Sequence, residues 1–153
     1  MQMKKVFVAV ALMAGSFGVV KAQSNFQIGA NLGPTMGVSM KYYMNRVHAL
    51  EGVMGYNIQH NGPSFKFMYE YHVPLVDALS MYMGGGLHMG GYHLRKYHND
   101  HSGDFAFGLV PTIGLEYAFS GAPIAFDFGY EPAINFTTCK TWNDVAFKVR
   151  FRF

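Results

Sequence analysis

The last nine residues of the chain alternate strictly between apolar and cationic side chains. The apolar set is Val145, Phe147, Val149, Phe151 and Phe153, and the cationic set is Lys148, Arg150 and Arg152. Successive side chains of a strand point to opposite faces, so this alternation predicts a strand with a different solvent on each face. A soluble sandwich would bury the aromatic face in a core. A transmembrane barrel would turn that face to lipid and the cations to a polar lumen.

Residues 1–22 have the pattern of a secretory signal peptide. Two lysines precede an apolar stretch over residues 6–20, and small residues around Ala22 form a cleavage site. Glycine and serine interrupt this stretch, which is shorter than the roughly 20 residues that a membrane helix needs. We therefore predict a cleaved leader over residues 1–22, export from the cytoplasm, and one barrel domain over residues 23–153.

The charge of the mature chain differs from that of the full chain. The full chain carries 12 Lys and Arg against 9 Asp and Glu, and three of the cations (Lys4, Lys5 and Lys21) lie in the leader, which leaves nine of each sign. A neutral chain of this kind lacks the basic surface of a nucleic-acid-binding protein. The lone Cys139 excludes an intrachain disulfide. Aromatic residues at 16% and charged residues at 14% are typical of a chain whose outer face is not in water.

Beyond the leader, short alternating segments are separated by turn residues. No stretch keeps the period of an amphipathic helix or reaches the length of a membrane helix. The predicted strands are residues 25–33, 36–43, 48–59, 64–73, 79–93, 105–120, 124–136 and 145–153, which are eight in number. An even number of strands places both termini on the periplasmic side. The connections at 60–63, 94–104 and 137–144 then lie outside the cell.

Ionisable side chains gather on one face of these strands. The predicted lumenal charge network is Lys41, Glu51, Lys66, Glu70, Glu116, Asp127, Glu131, Lys148, Arg150 and Arg152, with five cations and five anions. A narrow lumen favours such a balance, because a buried unpaired charge costs several kcal/mol. Lipid cannot satisfy an open sheet edge, which favours closure. We therefore predict an all-β fold, namely an up-and-down antiparallel transmembrane β-barrel of eight strands with a filled polar lumen.

The mature chain resembles the OmpA/OmpX-type eight-stranded barrels of the outer membrane of Gram-negative bacteria. The resemblance is most specific over residues 114–119, 122–124 and 135–136 and in the terminal strand. It implies a monomer in the outer membrane, in contact with lipid and lipopolysaccharide. It also implies a structural or surface-interaction role, with an external protein or ligand at residues 94–104 and 137–144. The short outer loops do not match the long protruding strands of adhesins.

The resemblance also implies a role for the end of the chain. In that family, a terminal aromatic residue preceded by alternating apolar residues is the signal for the barrel-assembly machinery. The matching residues here are Phe147, Val149, Phe151 and Phe153. Trp142, together with Tyr42, Tyr130 and Phe136 at strand ends, is predicted to belong to an interfacial aromatic girdle.

Polar residues of one connection and of the lumen suggest two alternative functions. His101 and Ser102 are weak catalytic candidates for a lipid A-modifying enzyme of deacylase or acyltransferase type, an alternative that family analogy alone supports. Adjacent residues in a loop rarely reach nucleophile–base geometry. The second alternative is a small gated channel, with His72 and His88 near Glu70 as a proton or ion path. Paired charges that fill the lumen are the favoured interpretation.

Metal binding is a further possibility at the connection 94–104. His98, His101 and Asp104 are the weak metal candidates, since neutral imidazole nitrogens are suitable donors. These polar residues are equally typical of a loop that is exposed to water and binds no ligand. No metal or cofactor is therefore predicted.

Overall fold

The computed structural model describes residues 25–92 and 104–153, of which Tyr92 and Asp104 by their backbone alone. All regular elements in these ranges are strands. They are β1 (Phe26–Leu32), β2 (Thr35–Tyr43), β3 (His48–Asn57), β4 (Gly62–Val76), β5 (Leu79–Tyr92), β6 (Asp104–Ala118), β7 (Ile124–Tyr130), β8 (Ala133–Asn135), β9 (Lys140–Trp142) and β10 (Val145–Arg152). No helix in the described part of the chain is long and apolar enough to cross a membrane.

The strands form one closed antiparallel ladder. Each of β1 to β6 pairs with the next strand along the chain, and β1 also pairs with β10. Segments β7 and β8 follow one another along β6 and make up one barrel strand, and β9 and β10 make up the next. The ten segments are therefore eight barrel strands, and the prediction of a closed eight-stranded barrel is confirmed.

Burial alternates along these strands with the period of two that the sequence predicts. In β4, Lys66 and Glu70 point into the lumen and are buried, while Phe67 on the opposite face is 58% exposed. Phe128 in β7 is likewise 59% exposed. The polarity of a soluble protein is thus inverted, because charges lie inside and aromatic side chains outside. The filled polar lumen is confirmed.

The predicted strand over residues 124–136 is interrupted. β6 pairs with β7 as far as Ile113 opposite Tyr130 and pairs with β8 again at Leu109 opposite Ile134. Pro111 and Pro132 lie in the gap between these pairs. A proline has no amide hydrogen to donate to a ladder, and this explains the break.

The two ends of the barrel are distinguished by their connections. The described chain ends and the connections at 44–47, 77–78 and 119–123 lie at one end, here named the terminal end. The connections at 33–34, 58–61 and 136–139 lie at the other, here named the loop end.

Candidate functional site: the charged lumen

The middle of the lumen holds a cluster of two cations and four carboxylates. This central cluster consists of Lys41, Glu51, Glu70, Glu116, Asp127 and Arg150, each at most 3% exposed. The Lys41 ammonium group lies 2.7 Å from Glu70 and 3.0 Å from Glu116. The Arg150 guanidinium group lies 2.8 Å from Glu51 and 3.0 Å from Glu116, and it also pairs with Asp127. Because β2 and β6 are opposite walls, the Lys41–Glu116 pair crosses the lumen.

A second cluster lies nearer the loop end. This mouth cluster consists of Lys66, Glu131 and Asp144, with the Lys66 ammonium group 3.0 Å from Glu131 and 2.6 Å from Asp144. The Thr35 hydroxyl donates to Asp144 at 2.6 Å. Lys148 connects the two clusters, since it pairs with Glu131 and lies 2.7 Å from Glu51. The ion pairs therefore run without interruption from the mouth to the middle of the barrel.

Tyr82 fills the lumen beside the central cluster. Its hydroxyl donates to Asp127 at 2.6 Å, and the Lys41 ammonium group lies 4.7 Å from the centre of its ring, within cation–π range. Gly114 and Gly129 provide the space for this ring. A Cβ at these positions would lie 2.4 Å and 2.2 Å from the Tyr82 hydroxyl oxygen, so larger residues would displace it.

The structure brings together nine of the ten residues of the predicted network, namely Lys41, Glu51, Lys66, Glu70, Glu116, Asp127, Glu131, Lys148 and Arg150. Arg152 is not among them. It follows Arg150 on the same face of β10, but it is the last residue of that strand at the terminal end, where it is exposed. The assignment of Arg152 to the lumen is wrong, because alternation fixes the face of a residue and not its depth.

Sequence reasoning missed Asp144, which it assigned to an outer connection. Asp144 is 3% exposed and belongs to the mouth cluster. With Asp144 inside and Arg152 outside, four cations meet six carboxylates among the buried residues of the described ranges. The predicted balance of five against five is therefore wrong. The sequence did contain a signal for this position. Asp144 precedes the lumen-facing Ala146 by two residues, and this spacing places both side chains on the same face.

Trp142 also lies inside the barrel, and its assignment to the interfacial girdle is wrong. It is 8% exposed, and its ring stacks on His60 with 3.7 Å between ring centres. His60 belongs to the connection between β3 and β4. Burial lowers the pKa of His60 below its ordinary value, while the negative charge of Asp144 acts in the opposite direction.

The two lumenal histidines have different partners. His72 lies 2.9 Å from Glu70, as the sequence interpretation placed it. His88 lies nearer the loop end and contacts Ser64 and Asn135 instead. The two side chains therefore do not form one path with Glu70.

The weak candidates of the connection 94–104 are not placed. His98, His101 and Ser102 lie outside the described residues, as does the side chain of Asp104. Within residues 25–92 and 104–153, no group of three His, Cys, Asp or Glu side chains is arranged to hold a metal ion.

The residues of the predicted assembly signal lie on the outer face of β10 and at its end. Phe147 and Phe151 are exposed, and Val149 and Phe153 are half-buried. The backbone N–H of Phe153 donates to Phe26 at 3.0 Å and so ties the end of the chain to β1.

No family sequence model and no curated protein sequence matches the chain. Solved structures do. Ail, the attachment invasion locus protein of Yersinia pestis, matches with a TM-score of 0.60 and 13% identity, over 84% of this chain and 96% of Ail. A designed transmembrane β-barrel matches with a TM-score of 0.55 and 14% identity, over 86% of this chain and 98% of the design. The fold is that of the small outer-membrane β-barrels.

A further neighbour has the same fold. Neisserial surface protein A matches with a TM-score of 0.50 and 18% identity, over 85% of this chain and 98% of that protein. In another of its structures, Ail is in complex with the heparin analogue sucrose octasulfate. Sequence identities this low show that the chain shares the fold of these proteins, and they carry no statement about its function.

Proposed function

We propose that the chain is an integral outer-membrane barrel, exported by the leader at residues 1–22 and monomeric in the membrane. The observation that carries this proposal is the inverted polarity of a closed ladder, with ion pairs inside and exposed aromatic side chains outside. An apolar surface of this extent in water would cause association. Strands β4, β5 and β6 have 15, 14 and 15 residues, which exceeds the roughly 9–11 residues that cross the hydrocarbon core.

The role that we propose is structural or surface interaction at the loop end. Support comes from the fold shared with Ail and Neisserial surface protein A, whose names describe attachment and a surface location. In this chain the connections at 94–104 and 137–144 would meet an external protein, ligand or lipopolysaccharide. Cys139 and Lys140 are exposed there, whereas Trp142 and Asp144 are held inside. The surface available in the second connection is therefore residues 137–141 and Asn143.

We also propose that the barrel-assembly machinery recognises the chain by its terminal strand. Phe147 and Phe151 point outward, which supports this proposal, because the assembly machinery would bind side chains on the outer face of the strand.

The channel alternative has no specific observation in its favour. Ion pairs such as Lys41–Glu116 join opposite walls across the space that an ion would need.

The surface-interaction role is tested by replacing residues 94–104 with a Gly-Ser segment of equal length. The full chain and the variant would be expressed in a non-adherent Gram-negative strain, and attachment to cultured epithelial cells counted. We expect the variant to lose attachment while its heat-dependent shift on a gel is unchanged. Equal attachment by both chains would contradict a role for this loop, and loss of the gel shift in both would contradict the barrel itself.

A further inference from the structure

Ser64, His88 and Asn135 form a hydrogen-bonded chain inside the lumen near the loop end, here named the serine relay. Ser64 Oγ lies 3.1 Å from His88 Nε2, and His88 Nδ1 lies 3.0 Å from Asn135 Oδ1. Both distances are those of ordinary hydrogen bonds. The three residues come from β4, β5 and β8 and are 1%, 1% and 2% exposed. Three separate strands therefore position one relay.

Asn135 determines which nitrogen of His88 carries the proton. The amide nitrogen of Asn135 faces the backbone carbonyls of Ala133 and Lys140, each at 3.4 Å, which turns its side-chain oxygen toward His88. An amide oxygen only accepts, so Nδ1 of His88 must be the donor. Nε2 of the neutral ring then keeps a free lone pair, and the Ser64 hydroxyl donates to it.

A hydroxyl, a base that can take its proton and a group that orients the base are the components of an activated serine nucleophile. We propose that Ser64 accepts the acyl group of a carboxylic ester, with His88 as the base and Asn135 as a positioning residue. This activity goes beyond the surface-interaction role, and it does not involve His101 or Ser102.

The reaction needs no reagent besides the ester and water. His88 Nε2 takes the hydroxyl proton as Ser64 Oγ bonds to the carbonyl carbon. The bond to the alcohol oxygen then breaks, and His88 returns the proton to that leaving oxygen. Water attacks the acyl-Ser64 ester by the same route, which releases the carboxylic acid and restores the hydroxyl.

The position of the relay indicates a lipid ester. Ser64 lies at the start of β4 and Asn135 at the end of β8, so the relay is close to the loop end. In a membrane barrel this level is near the boundary between acyl chains and head groups, where lipid esters lie.

Trp142 covers the relay on the side of the loop end. Its ring meets the His88 ring edge-on, with 5.5 Å between ring centres, and it stacks on His60. Trp142 belongs to β9, which has three residues and pairs with β8 among the described strands. Short segments with few backbone pairs open at low cost in free energy. Movement of β9 would admit an ester to Ser64.

The test uses the folded full chain in detergent micelles. The probes are a fluorophosphonate with mass-spectrometric location of the label, p-nitrophenyl butyrate, and phosphatidylcholine in mixed micelles. We expect the label on Ser64 and hydrolysis of both esters. Ser64→Ala should abolish both readouts, and Asn135→Ala should slow hydrolysis by about 10²-fold or more. Asn135→Asp should restore activity, because a carboxylate also accepts from Nδ1. Trp142→Ala should speed labelling.

Ser80→Ala is the matched control. Ser80 contacts the other lumenal histidine, His72, at 3.5 Å, which is too long for an effective relay, so activity should be unchanged. The heat-dependent gel shift shows that each variant is folded. Absence of a Ser64 label in both the unmodified chain and Trp142→Ala would overturn the proposal, as would a label that persists in His88→Gln. Hydrolysis of the butyrate alone would overturn the assignment to lipid esters.

Discussion

Replacement of Arg150 with Met is expected to lower the free energy of unfolding by roughly 3–5 kcal/mol, because it removes one of the two cations that neutralise the four buried carboxylates of the central cluster. The Arg150 side chain pairs with Glu51, Glu116 and Asp127. It also donates to Gln27 and Ser39. Met keeps much of the length of the side chain, so the main loss is charge and hydrogen bonding. Guanidinium unfolding from lipid vesicles, followed by the heat-dependent gel shift, measures the change.

Arg152→Met is the matched control for this substitution. Arg152 is two residues further along β10, on the same face, and exposed. Its replacement should change the unfolding free energy by about 0.5 kcal/mol or less, as at other surface positions. Similar small losses for both variants would show that Arg150 does not organise a buried network.

Replacement of Ile113 with Arg is expected to cost roughly 2–4 kcal/mol of stability in lipid, because it places a charge on the outer face near the middle of the bilayer. Ile113 lies on β6 and is 51% exposed. Phe105, on the same face of the same strand near the loop end, is 60% exposed. Phe105→Arg should cost only about 0–1 kcal/mol, since the penalty decreases toward the interface.

Comparison of these two variants shows whether the outer face of the barrel contacts lipid or water. On a water-facing surface, substitutions of half-exposed residues change stability by about 0.5 kcal/mol or less in either direction. Unfolding from vesicles with bilayers of normal thickness measures both variants. Equal, small effects at Ile113 and Phe105 would show that the outer face does not contact hydrocarbon.

Alternation was sufficient to predict the eight barrel strands and nine of the charged residues inside the barrel. It works because each strand separates two chemically different surroundings, so that Lys66 and Phe67, adjacent in the chain, belong to opposite faces. It does not report how far along the barrel a residue lies, and Arg152 was misplaced for this reason. The two prolines at 111 and 132 were visible in the sequence, but only the register shows that they face the same gap.

The serine relay could not be found from the sequence. Ser64 and His88 are 24 residues apart, and Asn135 is 47 residues beyond His88. Their meeting depends on the register of strands β4 to β8 and on the closed ladder. Trp142 gave a misleading signal, because an aromatic residue near a strand end is typical of a membrane girdle as well as of a lumen plug.

Quenching of tryptophan fluorescence by lipids brominated in their acyl chains tests most directly whether the outer face contacts hydrocarbon. The chain has one Trp, and Trp142 lies inside the lumen. In a Trp142→Phe background, Phe128→Trp would place an indole on the outer face, where Phe128 is 59% exposed. We predict strong quenching of that variant and weak quenching of the native Trp142. Quenching of the Phe128→Trp indole by aqueous iodide, without quenching by brominated chains, would contradict the account.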